Sequence, residues 1–90
     1  MMATLFVRHT VADFAAWKRV YDGLDPVRKA MGVTAQGAYR QDGNANDITV
    51  YHDFATMESA KAFAASHELK SAMQEAGVQG PPTIWFANKA

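Results

Sequence analysis

Cysteine is absent from this sequence of 90 residues, which excludes disulfide bridges, thiolate nucleophiles and cysteine-ligated metal sites. Nine basic residues balance nine acidic ones without forming a basic run, so the charge pattern does not favour a nucleic-acid ligand. No apolar stretch of the sequence is long enough to span a bilayer, and the first residues lack the segments of an export signal. We therefore expect a cytoplasmic protein that binds neither nucleic acid nor a membrane.

Cofactor-binding motifs are also missing. The sequence contains no glycine-rich phosphate loop, no nucleophile elbow and no metal-binding His-Glu helix. We therefore predict no cofactor and no metal. An enzyme built on this sequence would have to bind a reactive substrate and move protons.

The composition is that of a folded protein, with 49% hydrophobic and 20% charged residues. A chain of this length forms one domain, residues 1–90. Apolar spacing and turn-forming residues predict four strands. The predicted strands are Ala3–Thr10, Val33–Gln41, Ile48–Ala55 and Thr83–Asn88.

Helices are predicted between these strands from capping residues and apolar spacing. Asp13 caps the first helix, and Asp25-Pro26 opens a short second one that ends at Met31. Thr56 caps a helix through Ala65, and Ser66 caps another through Ala76. The order is β-α-β-β-α-β with the second helix broken, which is the ferredoxin-like α+β arrangement of four antiparallel strands with helices on one face.

The pairing of the strands follows from this arrangement. We expect the first and third strands to be central and parallel to each other. The segment 42–47 is dense in turn formers and is predicted to be the loop of a hairpin. If Gln41 pairs with Ile48 across that loop, Gly37 faces His52.

The sheet is apolar on both faces, although helices can cover only one. Alternation along the strands places Phe6, Tyr51 and Trp85 together on the face opposite the helices. These side chains are too apolar for a surface left in water. We therefore predict a homodimer in which a second copy of the chain covers them.

Two histidines are the strongest candidates for catalytic residues. His9 and His52 lie on the helix-side face, near the ends of strands expected to be adjacent, so we expect them to be neighbours. A neutral imidazole there could act as a catalytic base, could line a pocket, or could be a core-edge histidine bonded to the backbone. Two histidines without a third ligand make a poor metal site.

Aromatic residues on the helices point toward the same face. Trp17, Tyr21 and Phe63 would form walls suited to a planar apolar or aromatic ligand, and at helical spacing they suit a core equally well. Gly37, expected across from His52, would leave space beside it. The predicted substrate-binding residues are therefore Trp17, Tyr21, Phe63 and Gly37.

A succession of segments in the second half carries a resemblance to a known family. It comprises Ala60-Lys61-Ala62-Phe63, then Ser66-His67-Glu68-Leu69-Lys70-Ser71-Ala72-Met73, then Ala76-Gly77-Val78, and Gly80-Pro81-Pro82 before an aromatic strand. The chain resembles the dimeric α/β-barrel superfamily, close to the antibiotic-biosynthesis-monooxygenase-like domains. The resemblance implies two sheets packed back to back in a homodimeric barrel and a pocket between sheet and helices in each protomer.

Within that superfamily, the resemblance implies a cofactor-independent monooxygenase acting on an aromatic or polyketide-like substrate. The haem-degrading branch does not fit, because its haem-ligating His position falls on Met73 and the first strand has no Asn. Three functions stay open: such an oxygenase, with His52 or His9 as base; a stress-response or binding protein that holds an apolar metabolite without turnover; and a dimer with a filled core.

Overall fold

The computed structural model describes residues 2–90, and Met1 of the predicted domain lies outside the described residues. The four predicted strands and the helical segments between them are all present, in the predicted order. Their bounds are β1 Ala3–Val11, α1 Phe14–Gly23, α2 Asp25–Ala30, β2 Val33–Gln41, β3 Asn44–Phe54, α3 Met57–Ala64, α4 His67–Glu75 and β4 Val78–Asn88.

The three predicted capping residues begin three of the helices. The side chain of Asp13 accepts from the Ala15 amide at the start of α1, Thr56 from the Ser59 amide at α3, and Ser66 from the Leu69 amide at α4. Each bond satisfies an amide that the first turn of a helix leaves without a partner. These short polar side chains therefore fix where the helices begin.

The sheet has the strand order β2-β3-β1-β4, and every pair of neighbours is antiparallel. The expectation that the first and third strands run parallel was wrong. Because β3 returns from β2 through a hairpin, and β2 runs in the direction of β1, β3 must oppose both. As a result His52 lies opposite Leu5, whereas His9 lies opposite Ile48 four residues further along β1.

The hairpin between β2 and β3 is tighter than predicted. Its turn is Asp42-Gly43, with Gly43 at φ +82°, and Gln41 pairs with Asn44 rather than with Ile48. Glycine adopts this left-handed conformation without a steric penalty. The turn residues that follow Gly43 belong to β3.

An irregularity near the start of β2 places every later side chain of that strand on the opposite face from the one predicted. Val33 pairs with Phe54, but the next registered pair is Ala35 with Asp53, so Thr34 is an extra residue, as in a β-bulge. Beyond it, Gly37 pairs with Tyr51 rather than facing His52. Gly37 therefore lies on the face away from the helices, and its predicted place beside His52 was wrong.

β4 begins earlier than predicted and includes Gly80, Pro81 and Pro82. Its pairing with β1 shifts between Arg8 and Thr10, so this Gly-Pro-Pro segment bulges opposite His9. Prolines are tolerated there because β4 is an edge strand, whose outer amides need no ladder partner.

The helices cover one face of the sheet, as the alternation of side chains predicted. Leu5, Val7, Ile48, Val50 and Phe54 are buried beneath them. On the opposite face, which we call the open face, the Phe6 and Trp85 rings stack at 5.1 Å, and Trp85 remains 41% exposed. No helix in the described part of the chain has the length and hydropathy to cross a membrane.

Candidate ligand cavity

A cavity of about 40 Å³ lies between the sheet and the helices. Side chains of β1 and β3 form its floor, and those of α1, α2 and α4 form its walls. The floor contains Val7, His9, Val50 and His52, and the walls contain Trp17, Val20, Tyr21, Leu24, Arg28, Leu69, Ala72, Met73 and Ala76. The volume holds about three water molecules at roughly 10–15 Å³ each.

His52 is buried in the floor of this cavity at 3% exposure. Neither of its ring nitrogens has a hydrogen-bond partner within residues 2–90, and its ring packs 5.1 Å from that of Phe63. Burial, assisted by the Arg28 guanidinium, lowers the pKa of His52 to about 4. The imidazole is therefore neutral at pH 7, and one of its ring nitrogens is a hydrogen-bond acceptor.

His9 lies at the other end of the floor. It is 7% exposed, its ring nitrogens also lack partners among the described residues, and its ring lies 5.8 Å from that of Trp17. Burial lowers the pKa of His9, and the nearby Asp47 carboxylate opposes that shift. Both predicted histidines thus line one cavity, but they are not the adjacent pair that parallel strands would have produced.

The predicted aromatic residues divide into wall and core. Trp17 and Tyr21 of α1 stack at 4.8 Å and line the cavity. Burial raises the pKa of the Tyr21 phenol, which therefore stays protonated at neutral pH. Phe63 is fully buried in the core behind His52, and Gly37 is on the open face, where an added Cβ would lie 2.5 Å from the Tyr51 ring.

Arg28 is the residue of this cavity that sequence reasoning missed. It lies in α2 and is 1% exposed, with Nε and Nη1 lacking any acceptor within residues 2–90. Its guanidinium lies 4.3 Å from the centre of the Tyr21 ring and 3.6 Å from Asp25. Buried charges in proteins are usually paired closely, whereas the ion pair of Arg28 with Asp25 is longer than a hydrogen bond.

The spacing of the helical residues did carry a signal for Arg28. The amide of Leu24 donates to the Val20 carbonyl, and the amide of Arg28 donates to the Leu24 carbonyl, so α1 and α2 are nearly continuous. Residue 28 follows Leu24 by four positions and Tyr21 by seven. It therefore lies on the same apolar stripe.

The cavity thus joins an apolar lining to a neutral imidazole and a buried cation. Such a lining offers water few hydrogen-bond partners and strengthens any charge interaction inside the cavity. This combination suits a small molecule with an apolar body and one polar or charged end.

Comparison of folds identifies solved structures that are similar to this chain. A proposed antibiotic biosynthesis monooxygenase from Bordetella bronchiseptica has a TM-score of 0.84 at 15% identity, with 99% of this chain and 97% of that chain covered. A second protein so described, from Caulobacter crescentus, has a TM-score of 0.79 at 20% identity, with 99% and 90% covered. SnoaB, a cofactor-independent oxygenase from Streptomyces nogalater, has a TM-score of 0.75 at 13% identity, with 99% and 95% covered.

No family model matches the sequence, and none of the curated proteins matches it. At the identities of these three structures the likeness concerns the fold and not the reaction. The chain has the ferredoxin-like α+β fold of antibiotic-biosynthesis-monooxygenase-like structures, as its resemblance predicted.

Proposed function

We propose that this protein binds a small enolisable or phenolic molecule in the cavity between sheet and helices and promotes its oxygenation without a cofactor. The proposal depends on one observation about His52. Its imidazole is buried and neutral, and its ring nitrogens have no hydrogen-bond partner within residues 2–90. A neutral imidazole can accept a proton from a substrate bound in the same cavity. The fold, shared with a cofactor-independent oxygenase, agrees with this chemistry.

The proposed reaction converts an activated methylene group to a ketone. His52 takes a proton from the substrate, and the resulting enolate gives one electron to dioxygen. The two radicals combine in a new C–O bond, and return of the proton gives a hydroperoxide that loses water. The sum is R₂CH₂ + O₂ → R₂C=O + H₂O, in which the substrate itself supplies all the electrons.

The other cavity residues have supporting roles in this proposal. Trp17 and Tyr21 would stack against a planar substrate, and the apolar wall formed by α4 would keep water from the enolate. His9 is the second candidate base, because it lines the same cavity and its lowered pKa also keeps it neutral at pH 7.

Oxygen uptake tests the proposal. We would measure protein-dependent oxygen consumption with ethyl acetoacetate, which is small, and anthrone, which has three rings, after subtracting the rate without protein. Both are un-ionised at neutral pH and therefore need a base to form the enolate. His52→Ala should lower the rate by about 10²-fold or more, the usual contribution of a general base. His67→Ala, which removes an exposed imidazole on α4, is the control. Unchanged turnover in both His52→Ala and His9→Ala would contradict the proposed bases.

Binding without turnover is the second candidate, and the size of the cavity favours it. Its volume of about 40 Å³ is below the roughly 150 Å³ that accommodates benzene in an engineered cavity, so an aromatic substrate requires side chains to move. A pKa of about 4 also makes His52 a weak base before a substrate binds. Quenching of Trp17 fluorescence in a Trp85→Phe background, without oxygen uptake, would support this candidate.

We also propose that the protein is a homodimer joined through its open face. Phe6, Tyr51 and Trp85 occupy neighbouring positions on the three adjacent strands β1, β3 and β4, and no helix of the described residues covers them. Apolar side chains gathered on one sheet face are stabilised when a second sheet packs on them. The support is the alternation of apolar residues together with the partial exposure of Trp85.

A further inference from the structure

We infer that Arg28 is an anion-binding residue and that the ligand of the cavity is a small organic carboxylate. The inference rests on the proposed function in one respect, namely that the cavity receives a small molecule. It adds the chemical class of that molecule, and it depends on Arg28 rather than on His52.

The first support is the set of free donors on a buried cation. Arg28 is 1% exposed, and both Nε and Nη1 lack an acceptor within residues 2–90 while the side chain lines the cavity. Leaving charged donors unsatisfied in an apolar site is unfavourable. A carboxylate in the cavity would satisfy them, because guanidinium donors bind planar oxyanions through paired hydrogen bonds.

The second support is the charge balance around Arg28. Asp25 is the nearest carboxylate, but its oxygens already accept from Lys29 at 3.0 Å and from Gln36 at 3.1 Å. Its separation from Arg28 Nη2 is 3.6 Å, longer than a hydrogen bond. Two cations therefore share one carboxylate, and the cluster keeps one positive charge beside the cavity.

The third support is that the guanidinium is held in place. Its carbon lies 4.3 Å from the centre of the Tyr21 ring, and cation–π contact of this kind is attractive. The nearly continuous α1–α2 segment fixes the backbone of both residues. An anion would therefore meet a donor that is already oriented, which lowers the entropy cost of binding.

The apolar side chains of the cavity define the rest of the ligand. Val50 of the floor and Leu24, Leu69 and Trp17 of the walls line the cavity, and none of these side chains offers a charge. His52, neutral at pH 7, could donate one further hydrogen bond. The volume of about 40 Å³ limits the ligand to a small acid unless a wall residue moves.

Titrations with matched acids and amides test the inference. Acetate and benzoate would be compared with acetamide and benzamide, which have nearly the same shape without the charge, by calorimetry at pH 7.5. For the wild-type protein we expect the acid of each pair to bind at least tenfold more tightly than its amide. Arg28→Met should remove that preference while leaving amide binding within about twofold.

Two further variants and one spectroscopic readout complete the design. Arg28→Lys keeps the charge but loses the guanidinium fork, so it should retain part of the preference. Arg19→Met, which removes an exposed arginine of α1, should behave as wild type. In ¹⁵N-labelled wild-type protein, acetate, the smaller of the two acids, should shift the Arg28 Nε–H resonance, a result that does not require any variant to fold.

Equal binding of acetate and acetamide, or an unshifted Arg28 resonance at saturating acetate, would overturn the inference. The proposed function would still be tested separately, by oxygen uptake and by the His52→Ala variant. Conversely, tight acid binding through Arg28 with no oxygen uptake would support the carboxylate site and contradict the oxygenase.

Discussion

The guanidinium of Arg28 lies 4.3 Å from the centre of the Tyr21 ring, beneath the helices and almost completely buried. These two residues are seven positions apart on one helical stripe that otherwise faces the core. The stripe thus carries a cation into an apolar region, and that placement distinguishes this cavity from an ordinary hydrophobic core.

Arg28→Met is expected to stabilise the protein in the absence of a ligand. The substitution keeps an unbranched apolar side chain against Tyr21 and removes the cost of a poorly paired buried charge. Replacing buried ionic groups by apolar ones is often neutral or stabilising by about 1–4 kcal/mol, and we expect about 1–2 kcal/mol here. Urea unfolding measures the change.

The control for this prediction is Arg19→Met, which should change the free energy of unfolding by less than about 0.5 kcal/mol because that side chain is exposed. A loss of more than about 1 kcal/mol in Arg28→Met would mean that the contacts with Tyr21 and Asp25 outweigh the burial of the charge.

Stability should fall between pH 6.5 and about pH 4 because of His52. Its pKa is lowered from 6.5 to about 4 in the folded protein, so the unfolded chain binds the extra proton more readily in that interval. The full stability is present above pH 6.5 and is lost as the pH falls toward 4. The shift corresponds to about 3 kcal/mol at most, and burial of His9, whose pKa is also lowered, acts in the same direction.

Urea unfolding at pH 7.5 and at pH 4.5 measures this loss. Carboxylates titrate in the same range, so the informative quantity is the difference between wild type and His52→Gln, which should lose about 2–3 kcal/mol less between the two pH values. His67→Gln, at an exposed site, is the matched substitution control. An equal loss in wild type and His52→Gln would show that His52 is not protonated on unfolding in this range.

Gly37 is expected to tolerate no side chain without movement of Tyr51. A Cβ on Gly37 would lie 2.5 Å from Tyr51 Cε1, closer than two carbon atoms approach. Gly37→Ala should therefore displace the Tyr51 ring on the open face and cost about 1–3 kcal/mol, as overpacking does. Thermal unfolding and the ring resonances of Tyr51 measure the two effects.

Gly23→Ala provides the opposite expectation in the same protein. An added Cβ at the end of α1 meets nothing within 4 Å, so alanine should stabilise by about 0.4–1 kcal/mol through lower entropy of the unfolded chain. If both substitutions changed stability in the same direction, the close approach between Gly37 and Tyr51 would not be the cause.

The sequence predicted the elements of this fold because their signals are local. Asp13, Thr56 and Ser66 cap helices through bonds to amides two or three residues away, and alternation is visible within a single strand. The extra residue at Thr34 carries no comparable signal, because the pairing of β2 with β3 creates it. This single extra residue reverses the faces on which the later side chains of β2 lie, and it places Gly37 on the face away from the cavity.

The cavity itself was only partly predictable, for the same reason. His52, Trp17 and Tyr21 follow from which face each side chain occupies. The distance between His9 and His52 depends on strand direction, and an antiparallel pair separates them along the sheet. Arg28 was missed because a charged residue in a short helix is expected to be solvated, and its burial depends on how α2 continues α1.

Trp85→Glu is expected to disperse the proposed homodimer. The ring stacks on Phe6 at 5.1 Å and is 41% exposed on the open face, so a carboxylate there would be buried without a partner in a dimer, at a cost of several kcal/mol. Light scattering at micromolar concentration should give the mass of two chains for wild type and of one chain for the variant.

The neighbouring residue of β4 supplies a matched control. Ile84 is 38% exposed, close to the value for Trp85, but it points to the helix side, where it pairs with Val7. Ile84→Glu introduces the same charge one residue away on the other face and should leave the mass at two chains. A monomeric wild type would contradict assembly through Phe6, Tyr51 and Trp85. Equal dispersal by both substitutions would contradict it too, because a contact confined to the open face should be disrupted by Trp85→Glu and not by Ile84→Glu.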